Sequence, residues 1–171
     1  PIERRDFTGA DLSGLDLSTA DLSEGFFESA NLKGTNLAGA KLGKAVLAHA
    51  NLEGADLTGA DLSGANLGRT NLRGAKLTRA NLRDTVLVAA DLSGADVSLV
   101  TFDQARLRDV KLEGANLEGI RADNVTWMNV SAEGASLRGS KMRLTTFIGC
   151  KVDRADFSES ELSETAFFQS T

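Results

Sequence analysis

An apolar residue, large at every repeat except Ala122 and Ala132, recurs at every fifth position of this chain, without insertion or deletion, from Ile2 to Phe167. The stretch NLEGADLTGADLSGANL, residues 51–67, shows the pattern, with leucine at 52, 57, 62 and 67. On an α-helix a step of five residues rotates the side chain by roughly 140°, so the leucines scatter around the axis. On a strand the same step changes face each time. The pattern therefore predicts a chain that turns a corner within every repeat.

We call the large apolar residue the centre of its pentad. Position −2 is usually Ala, and position +2 is often Gly, as at Gly54, Gly59 and Gly64. Polar residues prevail at −1 and +1. The centre and position −2 are thus expected to point inward, and Gly eases the turn because it tolerates positive φ. The predicted core contains the centres Leu12, Leu32, Leu52, Leu62, Leu72, Leu92, Leu112 and Trp127.

The tandem motif A(D/N)LxG, seen at 55–59, 60–64 and within 114–119, resembles the pentapeptide-repeat family over essentially the whole chain. The resemblance implies an all-β fold: a right-handed quadrilateral β-helix, a solenoid of about eight coils with about 20 residues in each. We expect residues 1–171 to form a single domain, because no linker or change of composition interrupts the array.

Charge patterning supports a coil of this length. If coils stack, residue i lies over residue i+20 at about 4.8 Å, the spacing of neighbouring strands. Charges at that separation should then alternate in sign. They do so in the triplets Asp56–Lys76–Asp96 and Lys33–Glu53–Arg73, and in the pairs Arg83–Asp103, Glu118–Arg138, Asp123–Arg143 and Lys141–Glu161.

The sequence offers little for catalysis, and we predict that the protein is not an enzyme. His49 and Cys150 are the single histidine and the single cysteine, and they lie about five coils apart, roughly 24 Å at strand spacing. Cys150 occupies an inward slot and is expected to be a small buried side chain. A regular convex prism has no cleft in which carboxylates could be desolvated. We expect no metal site and no cofactor.

Composition and charge limit the classes of partner that the protein is expected to bind. A net charge of −5 argues against direct binding of nucleic acid. The sequence has no long apolar run and no signal-peptide pattern, so neither a membrane nor secretion is expected. A single cysteine suits a reducing cytoplasm, where we expect the protein to reside. Function is therefore expected on the outer walls, through another protein or through a second copy of the chain in a homodimer.

One of the four walls differs from the others. We call it the apolar wall; its centres run from Phe7 in steps of 20 to Phe167, and Arg106 and Arg108 interrupt it. An apolar stripe of this length approaches the size at which exposed patches usually mark an interface. The alternative is scatter, because isolated apolar side chains are normal on protein surfaces. Its predicted protein-binding residues are Phe26, Val46, Val86, Val88, Met128, Ile148 and Phe168.

A second wall supports a different function. The acidic wall, on centres 17 to 157, carries Asp16, Asp56, Asp96, Glu118 and Asp156, offset by Lys76 and Arg138. The family resemblance implies this alternative, because some pentapeptide-repeat proteins mimic a B-DNA rod, bind DNA gyrase or another type II topoisomerase and protect it from quinolone-type inhibitors. This chain lacks the carboxyl-terminal dimerisation helix and the inserted loop typical of those proteins, and its walls mix both signs of charge.

Two further features of the sequence each allow two interpretations. Arg69, Arg73, Lys76, Arg79 and Arg83 form a basic ring that could bind phosphate, although stacking on neighbouring acidic residues is the favoured interpretation. The array also starts and ends without a capping pattern, so either its ends pair with another chain or the sequence belongs to a longer protein.

Overall fold

The coils of the computed structural model repeat every 20 residues. The structure describes residues 5–171, and the first predicted centre, Ile2, lies outside them. Parallel bridges join residue i to residue i+20 along the chain, from Asp6 with Phe26 to Lys141 with Glu161. The fold is a right-handed quadrilateral β-helix of about eight coils, as predicted from the pattern and the family resemblance.

Most corners are β-turns that also join neighbouring coils. In the pentad of Leu52, the N–H of Ala55 donates to the carbonyl of Leu52 at 3.0 Å, and Gly54 has φ of 64°. A positive φ at this place is the mark of a type II turn. The N–H groups of Leu52 and Gly54 donate to the carbonyls of Asn71 and Arg73 in the next coil, at 2.7 and 3.0 Å. Lys44 and Arg69 adopt φ of 57° at the same position, so glycine is favoured there but not required.

One face departs from this turn in the carboxyl-terminal half. It forms a parallel sheet in the order β1, β2, β3, β4, with the strands β1 (Leu107–Arg108), β2 (Thr126–Met128), β3 (Thr146–Ile148) and β4 (Ala166–Phe168). Its centres include Trp127 and Phe147, and β-branched residues flank them, a composition that favours extended backbone. Among the described residues, no helix has the length and apolar character needed to cross a bilayer.

The centres fill the axis of the solenoid. Leu32, Leu52, Leu62, Leu72, Leu92, Leu112 and Trp127 are fully buried, as predicted. Leu12 differs: it is only partly buried, although it packs against the core. Within the described range, full coils pack on only one side of Leu12, so part of its side chain stays accessible.

Small residues at position −2 let neighbouring coils approach, and the polar ones among them are satisfied. The hydroxyls of Thr35, Thr70 and Thr145 are each donated to the carbonyl of a centre in the preceding coil, at 2.8, 2.8 and 2.6 Å. Cys150 occupies the same slot, and its Sγ lies 3.3 Å from the Trp127 carbonyl oxygen. Hydrogen bonds therefore compensate the cost of burying these polar groups at position −2.

Position −1 explains the preference for Asp and Asn. The Oδ1 atom of Asp61 accepts the backbone N–H of Ser63 at 3.0 Å and the side-chain amide of Asn81, in the next coil, at 3.0 Å. Asn51 accepts from Glu53 and Asn71 in the same way, at 3.2 and 3.0 Å. These Asx turns hold the outward N–H of each corner and connect successive coils.

Candidate functional site

The structure brings the predicted apolar residues onto one wall. Bridges connect Phe26 to Val46 near one end, and the sheet pairs Met128 with Ile148 and Ile148 with Phe168 at the other. Because coils stack in register, these residues form two columns, one at position −1 and one at position +1. That they share a wall is a structural fact, whereas their role in binding stays a prediction.

The apolar wall consists of two patches. Phe26, Val46, Val86 and Val88 make the first patch, in which the exposed Asn66 and the half-buried Gly68 lie between the valines. The second patch, on the sheet, contains Met128, Ile148 and Phe168. Arg106 and Arg108 separate the patches and are both exposed. Phe26 and Met128 are each 37% exposed and Phe168 is 57% exposed, whereas the valines and Ile148 are half-buried.

Aromatic centres support the wall from inside. The rings of Trp127 and Phe147 have centroids 5.3 Å apart, and those of Phe147 and Phe167 stack at 4.7 Å. Near the other end, Phe7 stacks on Phe27 at 4.9 Å. Such contacts add to area burial, so the backbone beneath both patches is fixed by packing.

The acidic wall is also in register, but cations interrupt it. Asp56, Lys76 and Asp96 are bridged in succession. The hydroxyl and then the N–H of Ser18 lower the pKa of Asp16, and those of Thr58 lower the pKa of Asp56 in the same way, so both carboxylates are ionised at neutral pH. Asp156 behaves alike, with its pKa lowered by the N–H and hydroxyl of Ser158.

Glu118 lies near Arg138, as predicted, and after Glu159 it contributes to raising the pKa of the Arg138 guanidinium, but Glu118 and Arg138 do not close an ion pair. Glu118 accepts a hydrogen bond from the Ser136 hydroxyl at 3.0 Å, while Arg138 pairs with Glu159 at 2.5 Å. Glu118, Arg138 and Glu159 line an open depression. Leu99, which is 48% exposed, lines it as well. The depression has polar walls that already pair with one another, so it has no ligand-binding character of its own.

Four of the predicted charge pairs close as ion pairs between successive coils. They are Lys33–Glu53 at 3.0 Å, Arg83–Asp103 at 3.0 Å, Asp123–Arg143 at 2.8 Å and Lys141–Glu161 at 3.4 Å. Exposed pairs of this kind contribute about 0–1 kcal/mol each. Their main effect is on register and solubility.

The basic ring is partly neutralised by the coil that follows it. Arg73 pairs with Asp91 at 3.4 Å, and Arg83 pairs with Asp103. Arg69 and Arg79 occupy corners, with φ of 57° and 60°. The structure thus favours the stacking interpretation over a phosphate site.

The residues considered for catalysis stay apart. His49 is exposed at a corner, with φ of 61°, and Cys150 is buried in the core, where desolvation raises the pKa of its thiol. Within residues 5–171, no three His, Cys, Asp or Glu side chains converge in a way that could hold a metal ion.

The repeat itself decides the family. A model described as pentapeptide repeats matches eight copies in this chain, at residues 6–24, 27–69, 65–104, 105–143 and 128–164. The chain belongs to the pentapeptide-repeat family. None of the curated proteins matches it.

Solved structures of this family include clear relatives in fold. HetL from the cyanobacterium Nostoc sp. strain PCC 7120, a pentapeptide-repeat protein involved in regulating heterocyst differentiation, is 31% identical, with a TM-score of 0.62 over 96% of this chain and 76% of HetL. QnrB1, a plasmid-mediated fluoroquinolone resistance protein, was solved as a trypsin-treated variant. It is 18% identical, with a TM-score of 0.60 over 95% of this chain and 78% of QnrB1. At that identity, the likeness to QnrB1 shows the fold alone.

Proposed function

We propose that this pentapeptide-repeat protein is a non-enzymatic scaffold that binds another protein through its apolar wall. The observation that carries the proposal is that apolar side chains at the outward positions −1 and +1 concentrate on a single wall, although Leu15, Leu99 and Leu144 are exposed elsewhere. Val46, Val86 and Val88 lie in register there, as do Met128 and Ile148. Apolar surface rimmed by charge is typical of protein interaction sites, and here it forms two patches that Arg106 and Arg108 separate.

The non-enzymatic part of the proposal is supported by the state of the titratable groups. Carboxylates on the walls have pKa values lowered by neighbouring hydroxyl and N–H groups, as at Asp16 and Asp56, so they remain ionised and are poor general acids. The one thiol is buried, with a raised pKa, which disfavours the nucleophilic thiolate. A buried free thiol suits a reducing compartment, and we propose the cytoplasm as the location.

The test compares protein capture by matched variants. Val86→Glu with Val88→Glu places two charges on the apolar wall, whereas Ser63→Glu with Ser131→Glu adds the same charges to two other walls. All four positions are exposed or half-buried, so neither variant should change the melting temperature appreciably. Chemical crosslinking in source-cell extract should give a defined set of partners that the wall variant loses and the control keeps. Identical crosslinks from all three proteins would reject the apolar wall as the binding surface.

A second candidate is protection of a type II topoisomerase by DNA mimicry. The fold shared with QnrB1 and the ionised column of Asp16, Asp56 and Asp96, spaced by about 10 Å, favour it. The test is a DNA gyrase supercoiling assay with a fluoroquinolone. Under this alternative, the protein restores supercoiling, and Asp16→Asn with Asp56→Asn and Asp96→Asn abolishes the effect. Supercoiling that stays inhibited at every protein concentration would rule this function out.

A further inference from the structure

The charges around the first patch of the apolar wall are separated by sign. Glu28 lies beside Phe26 at one end of the patch, and Arg106 and Arg108 lie four coils away at the other. All three charged side chains are exposed. Among residues 5–171, Arg108 pairs with its neighbour Asp109 at 3.2 Å, and neither Glu28 nor Arg106 makes an ion pair.

Between these charges, the residue types along the wall follow a similar order from either end towards the coil of Asn66 and Gly68. Column −1 reads Phe26, Val46, Asn66, Val86, Arg106, and column +1 reads Glu28, Ala48, Gly68, Val88, Arg108. The middle residue is the polar Asn66 in one column and Gly68 in the other; in each column the residues one coil away on either side are apolar, and the end residues are complementary. A surface with this order is complementary to itself when it is turned end over end.

We propose that the apolar wall binds a second copy of this chain, in an antiparallel dimer whose two-fold axis passes over Asn66 and Gly68. This inference rests on the proposed function and names the partner. The axis runs along the strand direction, so each column faces the same column of the other copy. Val46 then packs on Val86 of the second copy, Ala48 packs on Val88, and Glu28 meets Arg108. The guanidinium of Arg106 lies over the ring of Phe26, a favourable cation–π arrangement.

Other arrangements of the same wall lose these matches. Moving the axis one coil along, over Val86 and Val88, places Asn66 against Arg106 and Glu28 against Ile148. An axis along the solenoid instead keeps the two copies parallel and places Arg106 against Arg108, two like charges. Burying an unpaired charge or opposing like charges costs several kcal/mol at an interface. The antiparallel register centred on Asn66 is therefore the one that the charges favour.

The size of the surface predicts a weak dimer. Five coils span about 19 Å between the outermost centres, and the wall is three residues, or about 10 Å, across. This is well below the roughly 800 Å² per partner of a standard stable interface. We expect association in the micromolar range or weaker, so the measurements need protein concentrations from about 10 μM to 1 mM.

Charge exchange between copies gives the decisive experiment. By sedimentation equilibrium, Glu28→Arg alone and Arg108→Glu alone should each raise the dimer dissociation constant about tenfold or more, because every Glu28–Arg108 pair becomes a pair of like charges. An equimolar mixture of these two variants should associate as tightly as wild type. In that mixed dimer Arg meets Glu at both sites, whereas each variant alone repels itself.

A matched exchange elsewhere is the control. Lys33 and Glu53 form an exposed ion pair on another wall, and Lys33→Glu with Glu53→Lys should leave the dissociation constant unchanged. The variants must keep the wild-type circular dichroism spectrum and melting temperature, which their exposed positions predict. A wild-type chain that stays monomeric at 1 mM, or a mixture no tighter than its components, overturns the dimer. If the Val86→Glu with Val88→Glu variant still loses its crosslinked partners in that case, the proposed function stands with a different partner.

Discussion

Single residues at position −1 organise the surface of this solenoid. Each Asp or Asn there accepts the N–H two residues ahead, and several also accept from the amide one coil above, as Asp61 does from Ser63 and Asn81. The repeated preference for Asp or Asn before a leucine is thus a preference for an acceptor of the right length. It stabilises the corner locally and fixes the register of the next coil.

Two substitutions of Asp61 distinguish the contribution of its hydrogen-bond acceptor from that of its charge. We expect Asp61→Ala to lower the free energy of unfolding by about 0.5–1.5 kcal/mol, because the N–H of Ser63 and the amide of Asn81 lose their acceptor. Asp61→Asn retains an Oδ1 atom in the same place and should cost less than about 0.5 kcal/mol. Urea denaturation measures both values. Equal losses in the two variants would assign the effect to charge instead.

Substitutions of the next residue, Leu62, should lower the free energy of unfolding much more, because Leu62 belongs to the core. Leu62 is fully buried at the axis. Leu62→Ala should cost about 2–5 kcal/mol through lost burial and a residual cavity. Leu62→Asp should prevent folding, because it places a charge without a partner among leucines. Circular dichroism and thermal melting provide the measurement, and an Asp variant that melts like wild type would disprove the inward register.

Among the structural elements, the four short strands β1 to β4 are where the repeat changes character. The indole of Trp127 packs between Phe102 and Phe147, with centroid distances of 6.2 and 5.3 Å. Its Nε1 atom is buried and finds no acceptor among the described residues. This element therefore combines strong packing with one unsatisfied donor.

Two substitutions of Trp127 distinguish these contributions. Trp127→Ala should lower the free energy of unfolding by about 3–5 kcal/mol, because it empties the aromatic stack. Trp127→Phe loses some buried area but removes a donor whose desolvation costs about 1–3 kcal/mol, so the two effects nearly cancel. Guanidinium denaturation followed by circular dichroism is the measurement, since the variants lack the single tryptophan. A Phe variant as unstable as the Ala variant would contradict the cost assigned to the indole N–H.

The sequence predicted the coil and the walls better than it predicted the elements within them. A strict period of five, a resemblance to the family and charges alternating at i+20 were enough for the fold. Alignment of Phe26 over Val46 then followed from the coil length. The choice between turn and strand at Thr126 or Thr146 did not follow from the pattern. A bulky centre does not decide it, because Phe27 on the same wall keeps the turn whereas Leu107 lies in a strand.

Side-chain partners were the least predictable feature. Arg138 was expected to pair with Glu118 and instead reaches Glu159, since a long guanidinium side chain can contact acceptors on several nearby corners. Gly25 was also not predictable, although the structure explains why glycine is found there. It occupies an Ala slot because a Cβ atom there would lie 2.6 Å from Cε2 of Phe27. Recognising this required the ring positions, which the pattern alone does not contain.

For the whole molecule, the carboxylates at position −1 make the free energy of unfolding depend on pH in the acidic range. The pKa of Asp16 is lowered chiefly by the hydroxyl and N–H of Ser18, and the pKa of Asp56 is lowered likewise by those of Thr58. Asp11, Asp21 and Asp156 are affected in the same direction. These groups recur along the length of the solenoid, so their effects act on the unfolding of the whole array.

The sign of the pH dependence follows from that direction. An aspartate whose folded pKa lies below its unfolded value of about 3.9 stabilises the fold fully above that value, and the contribution is lost as pH falls through the folded pKa. The free energy of unfolding should therefore be nearly constant from about pH 7 to 5 and decline below about pH 4. Urea denaturation at a series of pH values measures it. Asp16→Asn with Asp56→Asn retains both acceptors but removes two titrating groups, so its decline should be shallower. If this variant lost stability in acid as steeply as wild type, or if wild type became more stable below pH 4, the hydrogen bonds of the Asx turns would not be the source of the acid response.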